Sequence, residues 1–133
     1  MLRLGKLPDY SLVIIATFVN VEGLLTTNDV VQRTGIPIAT VRKLLKYMVD
    51  GGLIDSFRGN KGGYKLARPA LQISIADVVQ AIDGPICLTD CSDIHSDDRC
   101  SLEANCPLAR KWCEINVEIV GKLQSVSIQE LVA

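Results

Sequence analysis

Cys91, Cys100 and Cys106 fall within residues 84–106, a stretch rich in Asp, Ser and Gly. Thiolates are soft donors that suit zinc, copper(I) and iron–sulfur clusters. Eight residues separate the first two cysteines and five separate the second from the third. That spacing is too wide for the C-x2-C pairs of ordinary zinc sites, and it lacks the C-x2-C-x2-C run of ferredoxins. It suits a loop wrapped round one iron–sulfur cluster, 2Fe–2S or 4Fe–4S, with unligated thiols as the plain alternative. Cys87, Cys113 and His95 are further donors within reach in the sequence. Cys113 lies on a predicted helix, where a cysteine is more often core, and a histidine in a polar loop is more often solvated. Cys87 is close enough to Cys91 to join the site or to form a disulfide with it. His95 is the only histidine, and no Ser/His/Asp or Cys/His set accompanies it, so hydrolytic or nucleophilic catalysis is not expected.

The charge is divided along the chain. Of the 133 residues, 1–70 hold ten Lys/Arg against five Asp/Glu, net +5, while 71–133 hold four against ten, net −6, and the sum is the formal −1. A basic first half suits a polyanion such as DNA. The apolar run at residues 12–21 contains Thr17 and Asn20 and is about half a membrane span, so a buried helix is expected rather than a transmembrane one. Arg3 and Lys6 imitate the start of a secretory signal, but Asp9 and Tyr10 interrupt it and no small-x-small cleavage site follows. A cytoplasmic protein without a membrane partner or a small-molecule substrate is expected. In that reducing compartment, five cysteines, an odd number, are thiols or metal ligands rather than a disulfide framework.

The elements that must position these groups are mostly helical. Residues 9–21 are apolar nearly all round, as a core helix is. Thr26 or Thr27 can cap a second helix over 28–33, with Asp29 in its first turn and Gly35 closing it. Pro37 opens a third, whose Val41, Leu44, Leu45, Met48 and Val49 share one face while Arg42, Lys43 and Lys46 project from the other. Two short helices with a Gly-containing turn and exposed bases on the second match a helix-turn-helix. Residues 53–57 and 64–67 read as strands, and Arg58, Gly59, Asn60, Lys61, Gly62 and Gly63 between them make a hairpin suited to a basic wing. Ser74 and Asp77 start a helix that ends before Gly84 and Pro85. Residues 86–106 show no sustained period and carry five acidic groups, which reads as a loop, either disordered or held by something. Residues 108–123 form a long helix with Leu108, Trp112, Ile115, Ile119 and Leu123 on one stripe and Val117 and Val120 on another. One stripe suits its own domain and the other a second copy, giving an isologous dimer. Ser127 and Glu130 make a further capping box.

The segments TGIPIATVRKLLKYMVDGGLI, SFRGNKGGYKLARPA and SIADVVQAIDGP, with the cysteines downstream, resemble the Rrf2 family of bacterial winged-helix regulators over nearly the whole chain. The likeness is greatest to the subgroup that regulates SUF-type iron–sulfur cluster assembly. The resemblance implies a mainly α fold with a small β-hairpin wing. Residues 1–84 would be the winged helix-turn-helix DNA-binding domain, 85–106 the cluster-binding loop, and 107–133 a dimerisation helix with a C-terminal cap. It also implies a homodimer on a palindromic double-stranded DNA operator. DNA contacts then fall at Pro37, Ala39, Thr40, Arg42 and Lys43 on the second helix of the motif and at Arg58 in the wing. Thr27, Lys46 and Lys61 complete the set.

For the cluster, the resemblance implies Cys91, Cys100 and Cys106 plus a fourth ligand. One branch of the family uses a histidine three residues after the last cysteine, where this chain has Ala109. Another uses an aspartate near the N-terminus of the other subunit, and Asp9 stands in that context here. The function implied is a repressor of cluster-assembly genes controlled by its own cluster. The alternatives are a nitric-oxide sensor, a regulator whose thiols bind zinc or oxidise directly, or an iron–sulfur carrier without DNA function.

Overall fold

In the computed structural model, which describes residues 1–133, five α-helices and one β-hairpin follow in order. They are α1 (Lys6–Ala16), α2 (Thr27–Thr34), α3 (Ile38–Asp50), β1 (Ile54–Phe57), β2 (Gly63–Leu66), α4 (Ile75–Asp83) and α5 (Ala109–Ser125). Single 3-10 turns lie at Ala70–Gln72, Asp90–Ser92, Glu103–Asn105 and Ile128–Val132.

Local chemistry sets most of these boundaries. Thr26 caps α2: its hydroxyl accepts from the Asp29 N–H at 3.1 Å, and the Asp29 carboxylate accepts from the Thr26 N–H at 2.8 Å. The same exchange between Ser74 and Asp77 opens α4. Gly35, at φ +75°, closes α2 in a left-handed conformation that returns its N–H to the Val31 carbonyl. Pro37 stands at the cap of α3 rather than inside its first turn.

α1 differs from the expected span. It runs from Lys6 and stops at Ala16, short of Val21, although nothing in the apolar run breaks a helix. The N–H groups of Thr17, Phe18 and Val19 bond three residues back, to Ile14, Ile15 and Ala16, and Asn20 then takes φ +61°. This tightened exit turns the chain and leaves Phe18 and Val19 buried at 4% and 6% exposure.

The core draws on Ile14 and Ile15 of α1, Val30 of α2, Val41, Leu44, Leu45 and Met48 of α3, Ile54 of β1 and Val78 of α4, with Tyr64 and Leu66 of β2 packed half-buried against it. Strands β1 and β2 pair antiparallel from Ile54↔Leu66 to Phe57↔Gly63. Leu25 and Tyr64 exchange both backbone hydrogen bonds, at 2.9 and 2.8 Å, which ties the hairpin to the segment before α2. The chain's last turn returns to the same core. Ile128 is fully buried and its N–H donates to Ile73 at 2.8 Å, while the Ile75 N–H donates to Val126 at 2.9 Å.

α5 nearly matches the expected helix, with Leu108 at its cap, and its apolar stripes are only partly covered in one chain: Trp112, Ile115, Val120 and Leu123 are half-buried. Leu108 and Val117 are 55% and 71% exposed, and the helix's one buried residue is Asn116. No helix is long and apolar enough to cross a membrane.

Candidate cluster site and nucleic-acid face

The cysteine trio comes together. Cys91, Cys100 and Cys106 line one open concavity of about 350 Å³ with Thr89, Asp90 and Trp112. Cys91 rides on the turn Asp90–Ser92, whose shape is fixed by Thr89 and Ser92. The Ser92 hydroxyl donates to the Thr89 carbonyl at 2.8 Å and accepts from the Thr89 N–H at 3.1 Å. The Thr89 hydroxyl lies 3.2 Å from the Cys91 sulfur. Cys100 and Cys106 flank the second turn, which is closed by the Glu103 N–H on the Cys100 carbonyl and by an Arg99–Glu103 ion pair at 2.9 Å. Trp112, from the first turns of α5, supplies the apolar wall.

All five cysteines are free thiols, none fully exposed and none fully buried. No group of three or more His, Cys, Asp or Glu side chains converges as a single-ion site. A single zinc requires its sulfurs at about 2.3 Å from one point, whereas the irons of a cluster are separate points that separate thiolates can reach. The three soft donors share one concavity without converging on a single point.

The other donors lie elsewhere. Asp9 is exposed in the first turn of α1 and lines a shallow pocket with Arg3, Leu4, Gly5 and Lys6, apart from the cysteine concavity of its own chain. Cys87, His95 and Cys113 line a separate cleft of about 290 Å³ with Asn116. Burial, the negative charge of Asp93 and a hydrogen bond to that carboxylate push the Cys87 thiol above its ordinary range. The Cys113 thiol donates to the Cys91 carbonyl at 3.3 Å, and Asn116 bonds to both Ile86 and Leu88. Sequence reasoning missed Asn116. Its only signal is a lone carboxamide amid the apolar stripes of α5.

A second constellation lies on the first half of the chain. Arg42, Lys43 and Lys46 are exposed on α3, opposite the buried face of Val41, Leu44, Leu45 and Met48. Pro37 and Ala39 are exposed at the start of that helix and Thr40 is half-buried. Thr27, the first residue of α2, is also half-buried. Arg58 and Lys61 stand exposed between β1 and β2. None of these five cations forms an ion pair; the chain's ion pairs use Arg68, Arg99, Arg110 and Lys111. An unpaired exposed cation has no carboxylate to give up when it meets a phosphate. Arg3, Lys6, Arg33, Lys65 and Lys122 are unpaired as well, so what marks α3 and the wing is the run of exposed cations on two neighbouring elements.

The pattern of the Rrf2 family, described as iron-dependent transcriptional regulator, matches residues 6–133. The chain belongs to this family. Among curated relatives, the HTH-type transcriptional regulator IscR of Photorhabdus laumondii is 32% identical over 114 residues, 84% of this chain and 66% of the relative. IscR of Serratia proteamaculans is 29% identical over 111 residues, with the same shares. The chain thus spans just under two thirds of these relatives' length. Among solved structures, CymR, the global cysteine regulator of B. subtilis, superposes with a TM-score of 0.72 at 21% identity, covering 98% of this chain and 96% of that one. IscR of T. potens superposes with 0.69 at 20%, covering 98% and 86%. These likenesses carry the winged-helix fold. The similar proteins are transcription regulators, not enzymes.

Proposed function

We propose that this chain is a DNA-binding transcription regulator whose hold on its operator is set by an iron–sulfur cluster on Cys91, Cys100 and Cys106. The observation that carries this reading is the shared concavity of the three thiols on a chain whose α3 and wing present unpaired cations. α3 enters the major groove, with Arg42 and Lys43 reaching guanine edges or phosphates and Thr40 a thymine methyl or a polar edge. The wing brings Arg58 and Lys61 to the adjacent backbone or minor groove.

The exposed apolar face of α5 meets that of a second copy, giving a two-fold dimer on a palindromic operator. Half-sites on one face of the duplex are about 34 to 36 Å apart, so a small change in the angle between the two winged units changes affinity steeply. A cluster supplies a redox- and supply-sensitive group that crosslinks the two turns bearing the cysteines. With no donor at Ala109, the fourth ligand is Asp9 of the second copy, and an oxygen donor makes the site labile. By the resemblance of the chain to the SUF-regulator subgroup, the holo-protein represses cluster-assembly genes in the cytoplasm and cluster loss releases them.

Anaerobic purification with iron and sulfide quantitation tests this. Coloured protein, loss of colour in Cys100→Ala and a promoter affinity that differs between holo and apo forms are expected. Colourless protein that ignores iron and sulfide would refute the reading. Stoichiometric zinc, or a nitric oxide response without any change in assembly-gene promoter binding, would direct it to the other branches of the family.

A further inference from the structure

The long helix has one buried position, and a polar side chain occupies it. Asn116 is 8% exposed. Its Nδ2 donates to the Ile86 carbonyl at 3.0 Å, and its Oδ1 accepts from the Leu88 N–H at 2.9 Å. The carboxamide thus meets a carbonyl and an N–H two residues apart, as a neighbouring strand would, which fixes both position and direction of that backbone. One turn earlier on the same face, Cys113 donates to the Cys91 carbonyl at 3.3 Å. Two side chains of α5 therefore hold the arm at residues 86, 88 and 91, up to the first cysteine of the trio.

Beyond that point the arm's hydrogen bonds are all local. His95 bonds to Asp93, Asp98 to Ser96, Arg99 to Glu103, Glu103 to Cys100 and Asn105 to Leu102. The arm is built in two parts: Cys91 is fixed to the middle of α5 by side chains, while Cys100 rides on a segment bonded only to itself that rejoins α5 at Cys106, whose carbonyl accepts from the Ala109 N–H at 3.5 Å.

We propose that Asn116, seconded by Cys113, is the positioning residue that ties the cysteine arm to α5, so that closing the second part of the arm onto Cys91 is felt by the helix. This rests on the cluster-controlled reading above. Neither residue needs to be a ligand. Without the carboxamide, Cys91 would still reach its site but would be held to α5 by Cys113 alone, and less of the arm's closure would reach the helix.

The test uses the full chain with Asn116→Leu and Asn116→Asp beside wild type, each as apo-protein and after anaerobic reconstitution with iron and sulfide. In apo Asn116→Leu, exchange of the Leu88 amide rises about tenfold, as expected for one lost buried hydrogen bond, while iron and sulfide content stays at the wild-type level. The holo-to-apo ratio of promoter affinities falls at least about fivefold, toward one, a range typical of a lost coupling. Asn116→Asp keeps the acceptor for Leu88, so it retains amide protection and part of the ratio. A structural role alone would change unfolding temperature without changing that ratio.

Wild-type Leu88 exchange in Asn116→Leu refutes the tie, and a wild-type affinity ratio refutes its coupling to DNA. Should Asn116→Leu not fold, an affinity ratio in Asn116→Asp equal to that of wild type, with unprotected Leu88, refutes the proposal as well. If wild-type protein binds no cluster, the cluster reading falls and the coupling with it. Leu88 exchange then still decides whether Asn116 holds the arm.

Discussion

Arg42→Ala should change the salt dependence of promoter binding by an amount that also counts the copies of the chain on the DNA. Arg42 is exposed on α3 with no carboxylate partner, so its removal costs little within the protein and exposes the DNA contact alone. Each phosphate neutralised contributes about 0.9 to the slope of log affinity against log salt. In a two-fold dimer one substitution deletes two such contacts, and the slope becomes shallower by about 1.8; a monomer loses about 0.9. Across a fourfold range, from about 50 to about 200 mM salt, a change of 1.8 alters the fall in affinity about twelvefold.

Arg42, Lys43, Lys46, Arg58 and Lys61 in two copies set a ceiling near a slope of about −9. Fluorescence anisotropy of a labelled promoter fragment at five salt concentrations reads this directly. Arg110→Ala, on a cation already engaged 3.3 Å from Glu114 on α5, should leave the slope unchanged. If Arg42→Ala binds with both the wild-type affinity and the wild-type slope, Arg42 does not contact DNA. If Arg110→Ala shifts the slope equally, the lack of ion pairs on α3 has no bearing on DNA.

Two further outcomes follow from local geometry. Gly63 sits at φ +152°, and a Cβ there would stand 2.7 Å from the Leu25 carbonyl oxygen, so Gly63→Ala should lower stability by about 1–3 kcal/mol in urea unfolding, and an unchanged midpoint would contradict it. The Cys87 thiol is raised above its ordinary 9.0 by burial and by Asp93, so the folded chain keeps that proton longer than the unfolded one. Its contribution to stability is present below the ordinary value and is lost as pH rises through the folded one. Iodoacetamide should therefore label Cys87 more slowly in native than in urea-unfolded protein near pH 9, and equal rates by mass spectrometry would contradict the assignment.

What the sequence discloses is what short-range chemistry decides. Thr26 with Asp29 and Ser74 with Asp77 are pairs three residues apart whose caps need no tertiary partner, and the expected helices begin where they do. The wing is equally legible, because Gly62 and Gly63 mark a hairpin between two β-rich runs. The end of α1 is not: the run through Val21 contains neither Gly nor Pro, and the stop at Ala16 comes from a tight exit at Thr17 to Asn20 that lets Phe18 and Val19 reach the core. The grouping of Cys91, Cys100 and Cys106 could be read from their types and spacing. Asn116 could not, since its partners lie 28 and 30 residues away and exist only once the arm folds back on α5.

The separation of charge offers two ways for the arm to influence DNA, and they differ in range. Over residues 84–125 seven acidic residues stand against four basic ones, a surplus of −3, and Asp90, Asp93, Asp97 and Asp98 of the arm form no ion pair. That surplus can repel a duplex only within about one screening length, about 8 Å at physiological salt. Orientation of α5 has no such limit. Through Val126 and Ile128 the end of this helix is bonded to Ile75 and Ile73, at the edge of the winged unit's core. A tilt of α5 carried through these bonds moves the unit that bears α3, whatever the ionic strength. If the arm acts by charge, the holo-to-apo affinity ratio shrinks as salt rises; if it acts through Asn116 and α5, both forms lose affinity with salt in parallel and the ratio holds.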